Sequence, residues 1–192
     1  SKRSGLKTFL YKDNNGKKIL IANRGEIAVR VLRTCRELGI ETVSIHSEAD
    51  EECLHVKLAD ESVCVGPAKA PLSYLNIHAV LSAAEITGAD AIHPGFGFLS
   101  ENRDFAEMCA KWNLTFIGPN VDCITKMGDK IFSKQMAKEA GVPILETYTL
   151  NDKRDEDIKK TALEMGLPVL IKASAGGGGR GMRVVHAEGS LI

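Results

Sequence analysis

The sequence is poor in aromatic residues: 5% of its 192 residues are Phe, Trp or Tyr, and one is a tryptophan. It also lacks net charge, with 25 basic residues set against 25 acidic ones. No global basic field therefore draws the chain to nucleic acid or to an anionic membrane. No apolar run approaches the ~20 residues of a membrane span. No apolar segment followed by a cleavage site opens the chain, so no secretory signal is read. The five cysteines, Cys35, Cys53, Cys64, Cys109 and Cys123, contain no Cys-x-x-Cys pair. Zinc sites need closely spaced ligands, so no metal centre is expected. An odd number at irregular spacing also argues against a disulfide framework and fits reduced, mostly buried thiols in an intracellular protein.

Two phosphate-binding signatures are missing as well. No glycine segment runs into Gly-Lys-Ser or Gly-Lys-Thr, which excludes a P-loop. Asn23-Arg24-Gly25-Glu26 carries one glycine where a dinucleotide fingerprint needs three, so an NAD site is poorly supported.

What remains is an ordinary globular mixture, 44% hydrophobic and 26% charged, which excludes wholesale disorder. Glycine stands out. There are 18, and positions 176 to 179, 181 and 189 hold six of them. The cluster is either a flexible tail or part of a glycine-dependent structure that continues past Ile192. Val169 to Ala173 enters it as an apolar strand, and Met182 to His186 leaves it as another. Strand, glycine loop, strand describes a hairpin flap. Residues without Cβ let the backbone approach a ligand, and successive N–H groups can nest phosphate oxygens. The alternative is a flexible linker, which the flanking apolar strands and Arg180 oppose.

Upstream, strands and helices alternate. Ile19 to Ala22 is an apolar run of the kind buried in parallel sheets. A helix is expected over Glu26 to Leu38, with Ile27, Val31, Leu38, Cys35 and Ala28 on one face and Gly39 as its C-terminal cap. Further strands are expected at 42–45, 62–65, 89–93 and 114–117. Helices are expected at 55–59, at 76–87 and at 102–111. The alternation predicts right-handed crossovers and a parallel sheet. After Pro119 the rhythm changes. Helices are expected at 121–127 and 130–140, with Asp129 as N-cap, and at 155–165, with Ile158, Ala162 and Met165 inward. The chain thus divides into an arm (1–16), an α/β domain (17–125) and the start of a second domain (126–192).

Three segments carry candidate chemistry. Lys172 sits beside the glycine loop, where its ammonium could neutralise phosphate charge; alternatively it faces solvent. Lys130 stands at a helix N-terminus, where a cation opposes the dipole; a nearby anion would explain it, as would simple exposure. His93 to Asn102 follows the fourth strand, at the sheet edge where open α/β folds bind ligands. His93 could equally be a turn histidine, and Asn102 a helix cap.

Taken in order, these segments resemble the biotin carboxylase family of biotin-dependent carboxylases. The resemblance rests on Ile21-Ala22-Asn23-Arg24-Gly25-Glu26-Ile27-Ala28, the His93 to Asn102 run, Phe116-Ile117-Gly118-Pro119, Met127-Gly128-Asp129-Lys130, and Ile171 through Arg183. Stretches such as His55 to Glu61 and Ser73 to Ile77 are most similar to the acetyl-CoA carboxylase type. Propionyl-CoA, methylcrotonyl-CoA and pyruvate carboxylases are close alternatives.

The resemblance implies a Rossmann-like parallel-sheet domain preceding an ATP-grasp fold, of which the chain holds the truncated start. It implies an ATP-dependent ligase that activates bicarbonate as carboxyphosphate and carboxylates biotin on a carrier protein. Lys130, Lys172, Gly176, Gly177, Gly178, Gly179 and Met182 would then lie on the ATP side. His93, Gly95, Phe96 and Glu101 would lie on the biotin and bicarbonate side, and Arg33 and Glu37 at a homodimer interface. Partners would be the biotin carboxyl carrier protein and the carboxyltransferase component, with no nucleic acid and no membrane. The compartment would be the cytoplasm, or alternatively a mitochondrion or plastid.

Two positions depart from the family pattern. Phe96 replaces a common tyrosine, and Ala175 a common glycine. The magnesium ligands and the carboxylation residues would lie beyond Ile192, so this chain by itself is expected to turn over no ATP. The competing reading is a non-catalytic binding or oligomerisation module with the same fold.

Overall fold

The computed structural model describes residues 17–145, 148, 155–172 and 182–190. The arm at 1–16 and the glycines 176 to 179 lie outside the described residues. Two compact units divide at Ala140 and Gly141.

The first unit is built on one parallel sheet. Its elements, in chain order, are β1 (Lys18–Ile21), α1 (Gly25–Glu37), β2 (Glu41–Ser47), α2 (Leu54–Leu58), β3 (Glu61–Gly66), α3 (Ile77–Thr87), β4 (Ala91–His93), α4 (Arg103–Lys111), β5 (Thr115–Phe116), α5 (Val121–Gly128) and α6 (Lys130–Glu139). The strand order is β3-β2-β1-β4-β5, and every pair is parallel. The α/β expectation therefore holds.

Side-chain alternation explains the layers. Ile19 and Ile21 of β1 point to one face and meet Ala28, Leu32 and Cys35 of α1. Leu20 points to the other and joins Val43, Ile45, Ile92, Leu81 of α3 and Phe105 of α4. A strand covered on both faces must be apolar throughout, which is why β1 reads as an unbroken run. Each such buried aliphatic side chain contributes about 1.5–3 kcal/mol.

The inward face of α1 differs from the sequence expectation. Ala28, Val29, Leu32 and Cys35 are buried, while Leu38 is 46% exposed. The helix ends at Glu37, and Leu38 is already its C-cap. Gly39 turns at φ +67° and delivers Ile40 to the core in place of Leu38. Ile27 and Val31 are left half-buried at the rim. The helix starts are set by polar caps: Asn76, Asn102 and Asn120 each accept a backbone N–H, and Asp129 accepts two.

The second unit has α7 (Asp155–Met165) and an antiparallel hairpin of β6 (Val169–Lys172) and β7 (Met182–Val185). The strand, loop, strand reading is thus correct in its strands. Ala162, Val169 and Val185 form a small core, with Leu167 and Ile171 against it. Met165, expected inward, is 39% exposed. The core of this unit is shallow enough that Ala162 alone on the helix is buried. Among the described residues no helix is long and apolar enough to cross a membrane.

Candidate functional site

The strand order places β2 on one side of β1 and β4 on the other. Chain connections leaving β1 and β4 therefore diverge, and the carboxyl edge opens between them. Two segments meet there: Asn23-Arg24-Gly25 after β1, and the loop from His93 to Asn102 after β4.

Asn23 is 1% exposed. Its Nδ2 donates to the carbonyl oxygens of Pro94 and Phe96, both at 2.8 Å. Its Oδ1 accepts the backbone N–H of Arg24 at 2.9 Å. Gly95 lies between the two bonded carbonyls with φ +65°. A Cβ at Gly95 would stand 2.7 Å from Asn23 Nδ2 and 2.8 Å from Ile27 Cγ2, so glycine is required twice over. The Gly95 N–H donates to His93 Nδ1 at 3.0 Å. Burial pushes the His93 imidazole below its usual pKa, which keeps that nitrogen free to accept.

The rest of the loop turns outward. Gly97 and Phe98 both have positive φ. Phe96 is 78% exposed, and Glu101 is exposed. Asn102 ends the loop as the cap of α4, accepting from Phe105 N–H. Beside the loop a hollow of about 380 Å³ is lined by Ile27, Val31, Leu38, Phe96 and Ile117.

A second network supports the same edge. Asp50, which is 5% exposed, receives Arg24 Nε at 2.7 Å and Nη2 at 2.5 Å. Tyr74 Oη donates to it at 2.5 Å and Ser47 Oγ at 3.2 Å. The Arg24 bonds, with those from Tyr74 and Ser47, hold this carboxyl well below the ordinary carboxylate range. Arg24 is held above its own range in return. Burial, followed by the bond to Asp50, raises the Tyr74 phenol. The Tyr74 ring stacks on Phe98, with centroids 5.0 Å apart and planes 19° apart. The loop after β4 is thus held by Asn23 at one end and by Tyr74 at the other.

The structure therefore brings His93, Gly95, Phe96 and Glu101 onto one loop at the open sheet edge. Arg33 and Glu37 are exposed on α1. Lys130 opens α6 behind the Asp129 cap. In the second unit Lys172 pairs directly with Met182. Both are exposed and share an open hairpin face with Leu170 and Val184. From the sequence, Asn23 and Phe98 stood out only as members of longer motifs, and Asp50 and Tyr74 were given no site role. Asp50 lies within Glu48-Ala49-Asp50-Glu51-Glu52, which reads as a solvated acidic run. Only tertiary contact distinguishes it from its neighbours. Among the described residues no group of three or more His, Cys, Asp or Glu is placed to hold a metal.

Two family models match successive parts of the chain. Residues 15–124 match the model of the biotin carboxylase N-terminal domain. Residues 129–192 match that of the carbamoyl-phosphate synthase L chain, ATP binding domain. The chain is 55% identical to biotin carboxylase 1 of Bacillus subtilis, over 92% of this chain and 39% of that one. It is 54% identical to the mitochondrial propionyl-CoA carboxylase alpha chain of Rattus norvegicus, over 90% of this chain and 24% of that one. The crystal structure of the Campylobacter jejuni biotin carboxylase–βγ-ATP complex superposes with a TM-score of 0.86 at 54% identity, covering 91% of this chain and 39% of that one. The chain thus spans well under half the length of the relatives it matches. With a parallel sheet in this order, an open carboxyl edge built by the segments after β1 and β4, and a family match over most of the first unit, the chain belongs to the biotin carboxylase family.

Proposed function

We propose that this chain is the N-terminal part of an ATP-dependent biotin carboxylase. That enzyme would form carboxyphosphate when bicarbonate oxygen attacks the γ-phosphorus of ATP and ADP departs. The carboxyl group would then pass to N1 of biotin on a carrier protein, releasing phosphate. The observation that carries this reading is the His93 to Glu101 loop. It is pinned at the carboxyl edge of the sheet and presents an exposed aromatic ring and an exposed carboxylate together.

Residue roles follow from the family resemblance. Gly95, Phe96, His93 and Glu101 would serve the biotin and bicarbonate side. Phe96 can offer an apolar ring face and no hydroxyl. Lys130, Lys172, Gly176 to Gly179 and Met182 would serve ATP. Pairing of Lys172 with Met182 supports this, because one strand register then supplies both a cation for phosphate and an apolar surface for a base. The boundary between an α/β domain (17–125) and the start of an ATP-grasp domain (126–192) belongs to the same reading. Magnesium would neutralise phosphate charge during transfer; the described residues hold no acidic cluster fit for it.

Arg33 and Glu37 would meet a second copy. Carrier protein and carboxyltransferase would be partners, with acetyl-CoA carboxylation for fatty acid synthesis as the proposed setting and the cytoplasm, or alternatively a mitochondrion or plastid, as the compartment. The test is bicarbonate-dependent ADP release by the full-length enzyme with free biotin as acceptor. Activity is expected there, and Lys172→Gln should raise the KM for ATP. This chain alone should release no ADP. A full-length enzyme without biotin-dependent turnover overturns the reading, and so does a catalytically competent 192-residue chain.

A further inference from the structure

We infer that Asn23 is a positioning residue for the biotin and bicarbonate side, acting through the loop after β4; the inference rests on the functional reading above. Both hydrogens of its Nδ2 are committed, one to Pro94 O and one to Phe96 O. Those carbonyls flank Gly95, and the space that a side chain there would fill is occupied by the Asn23 amide itself. Oδ1 is committed to the start of α1 through the Arg24 N–H. One buried amide thus joins the end of β1, the entry to α1 and the loop, across the point where the strand order reverses.

The loop needs such a clamp. Gly95, Gly97 and Phe98 all sit at positive φ. The two glycines take such angles freely but have the most freedom to lose, and Phe98 holds a sparsely populated backbone that persists only where its surroundings over-determine it. The ring of Phe96 is solvent-exposed, so its own contacts do not fix the backbone that carries it. The amide chemistry is specific as well. Aspartate has the same shape and keeps an acceptor for the Arg24 N–H. It would, however, set an oxygen against the Pro94 and Phe96 carbonyls where a donor now stands. Asn23→Asp therefore reverses the clamp while keeping the helix contact. Asn23→Ala removes the clamp without repulsion and serves if the buried aspartate does not fold.

The test uses the full-length enzyme, with free biotin as acceptor and amide hydrogen exchange read by mass spectrometry. Losing two hydrogen bonds that hold the loop should raise the KM for biotin about tenfold. The KM for ATP should stay within about twofold, since the partners of the amide, Arg24, Pro94 and Phe96, are not among the residues proposed for ATP. Exchange should rise in the 94–99 segment and stay level in β1 and β2. Unchanged loop exchange in both variants overturns the inference, whatever the activity. So does faster loop exchange with an unchanged KM for biotin. A uniform rise across β1 and β2 also overturns it, because Asn23 would then support the fold rather than the loop. If the unmodified enzyme shows no biotin-dependent turnover, the functional reading fails, and the positioning of substrate by Asn23 fails with it. Loop exchange still reports separately whether the clamp itself exists.

Discussion

The Arg24 guanidinium binds the Asp50 carboxylate side-on, with Nε on one oxygen at 2.7 Å and Nη2 on the other at 2.5 Å. The two residues follow β1 and β2, so the bond ties neighbouring strand ends at the carboxyl edge of the sheet. Tyr74 and Ser47 also donate to Asp50, which leaves the buried carboxylate well supplied with donors. Such saturation is what allows a carboxylate to remain charged at 5% exposure.

Asp50→Asn should destabilise the first unit by about 2 kcal/mol. Hydrogen bonds to charged groups contribute about 1.5–3 kcal/mol, and the half-exposed Arg24 can turn to water, which keeps the loss toward the lower end. Asp50 has a folded pKa below its unfolded one. Its stabilisation is therefore complete above the unfolded value of about 4 and is lost as pH falls further toward the folded value. Urea unfolding at pH 7 and pH 3 checks both points. The variant should lose stability at pH 7 and show a smaller acid decline. Equal midpoints for the two proteins at pH 7 would show the network contributes nothing net.

Two histidines should give a separate decline at milder pH. His55 is fully buried, and neither ring nitrogen has a hydrogen-bond partner within normal geometry. Burial lowers its pKa, partly offset by the Ile45 backbone and the Asp50 charge. His93 is lowered by burial as well. Both favour the neutral form in the folded state, so their contribution is full above the unfolded pKa of about 6.5 and falls below it. Each can remove up to about 1.4 kcal/mol per pH unit while its unfolded form alone binds the proton. Thermal unfolding at pH 7.5 and pH 5 should show a lower midpoint at pH 5, and His55→Phe should shrink the difference. A midpoint independent of pH in this range sinks the argument.

Glycine substitutions should separate packing from backbone strain. Gly66 has φ +139°, and a Cβ there would run into the Leu72 carbonyl oxygen. Gly39 has φ +67° with open space around it. Gly39→Ala should cost about 1–2 kcal/mol, from the left-handed backbone alone. Gly66→Ala must also displace backbone and should cost about 3 kcal/mol or more. Denaturant midpoints measured side by side decide it; equal losses would place the Leu72 carbonyl farther from Gly66 than the structure does.

Thiol labelling should follow burial. Cys35 and Cys109 are buried, and burial raises their thiols to about 11 and about 12. Cys64 and Cys123 are exposed and Cys53 is intermediate, so the expectation of mostly buried thiols fails for three of the five. Iodoacetamide at pH 8 should modify Cys64 and Cys123 rapidly and leave Cys35 and Cys109 until the protein unfolds. Peptide mapping reads the sites directly. Early modification of Cys109 would contradict its place in the core beside Phe105 and Leu81.

Local pattern settled much of this protein. The apolar run Ile19 to Ala22 declared a doubly covered strand, because only a strand packed on both faces dispenses with alternation. Asn102, Asp129 and Gly39 marked helix ends through chemistry that needs no distant partner. The order of motifs along the chain was enough to identify the family. The His93 to Glu101 loop was legible as a candidate because glycines stand where a strand meets the ligand edge.

Tertiary structure decided the rest. The inward face of α1 turned on where the helix stops, and that depends on how Gly39 and Ile40 enter the sheet. Asp50 looked like one acidic residue among four. It became a buried charge only when Arg24, Ser47 and Tyr74 converged on it from separate segments. Asn23 stood two positions before a turn glycine in the sequence. Its role as a clamp required β4 to pair beside β1, 71 positions separating Asn23 from the Pro94 carbonyl it holds. Periodicity and capping are properties of neighbours along the chain, so sequence alone carried them. Buried polar partnerships depend on which distant strands lie side by side, and only the folded sheet fixes that.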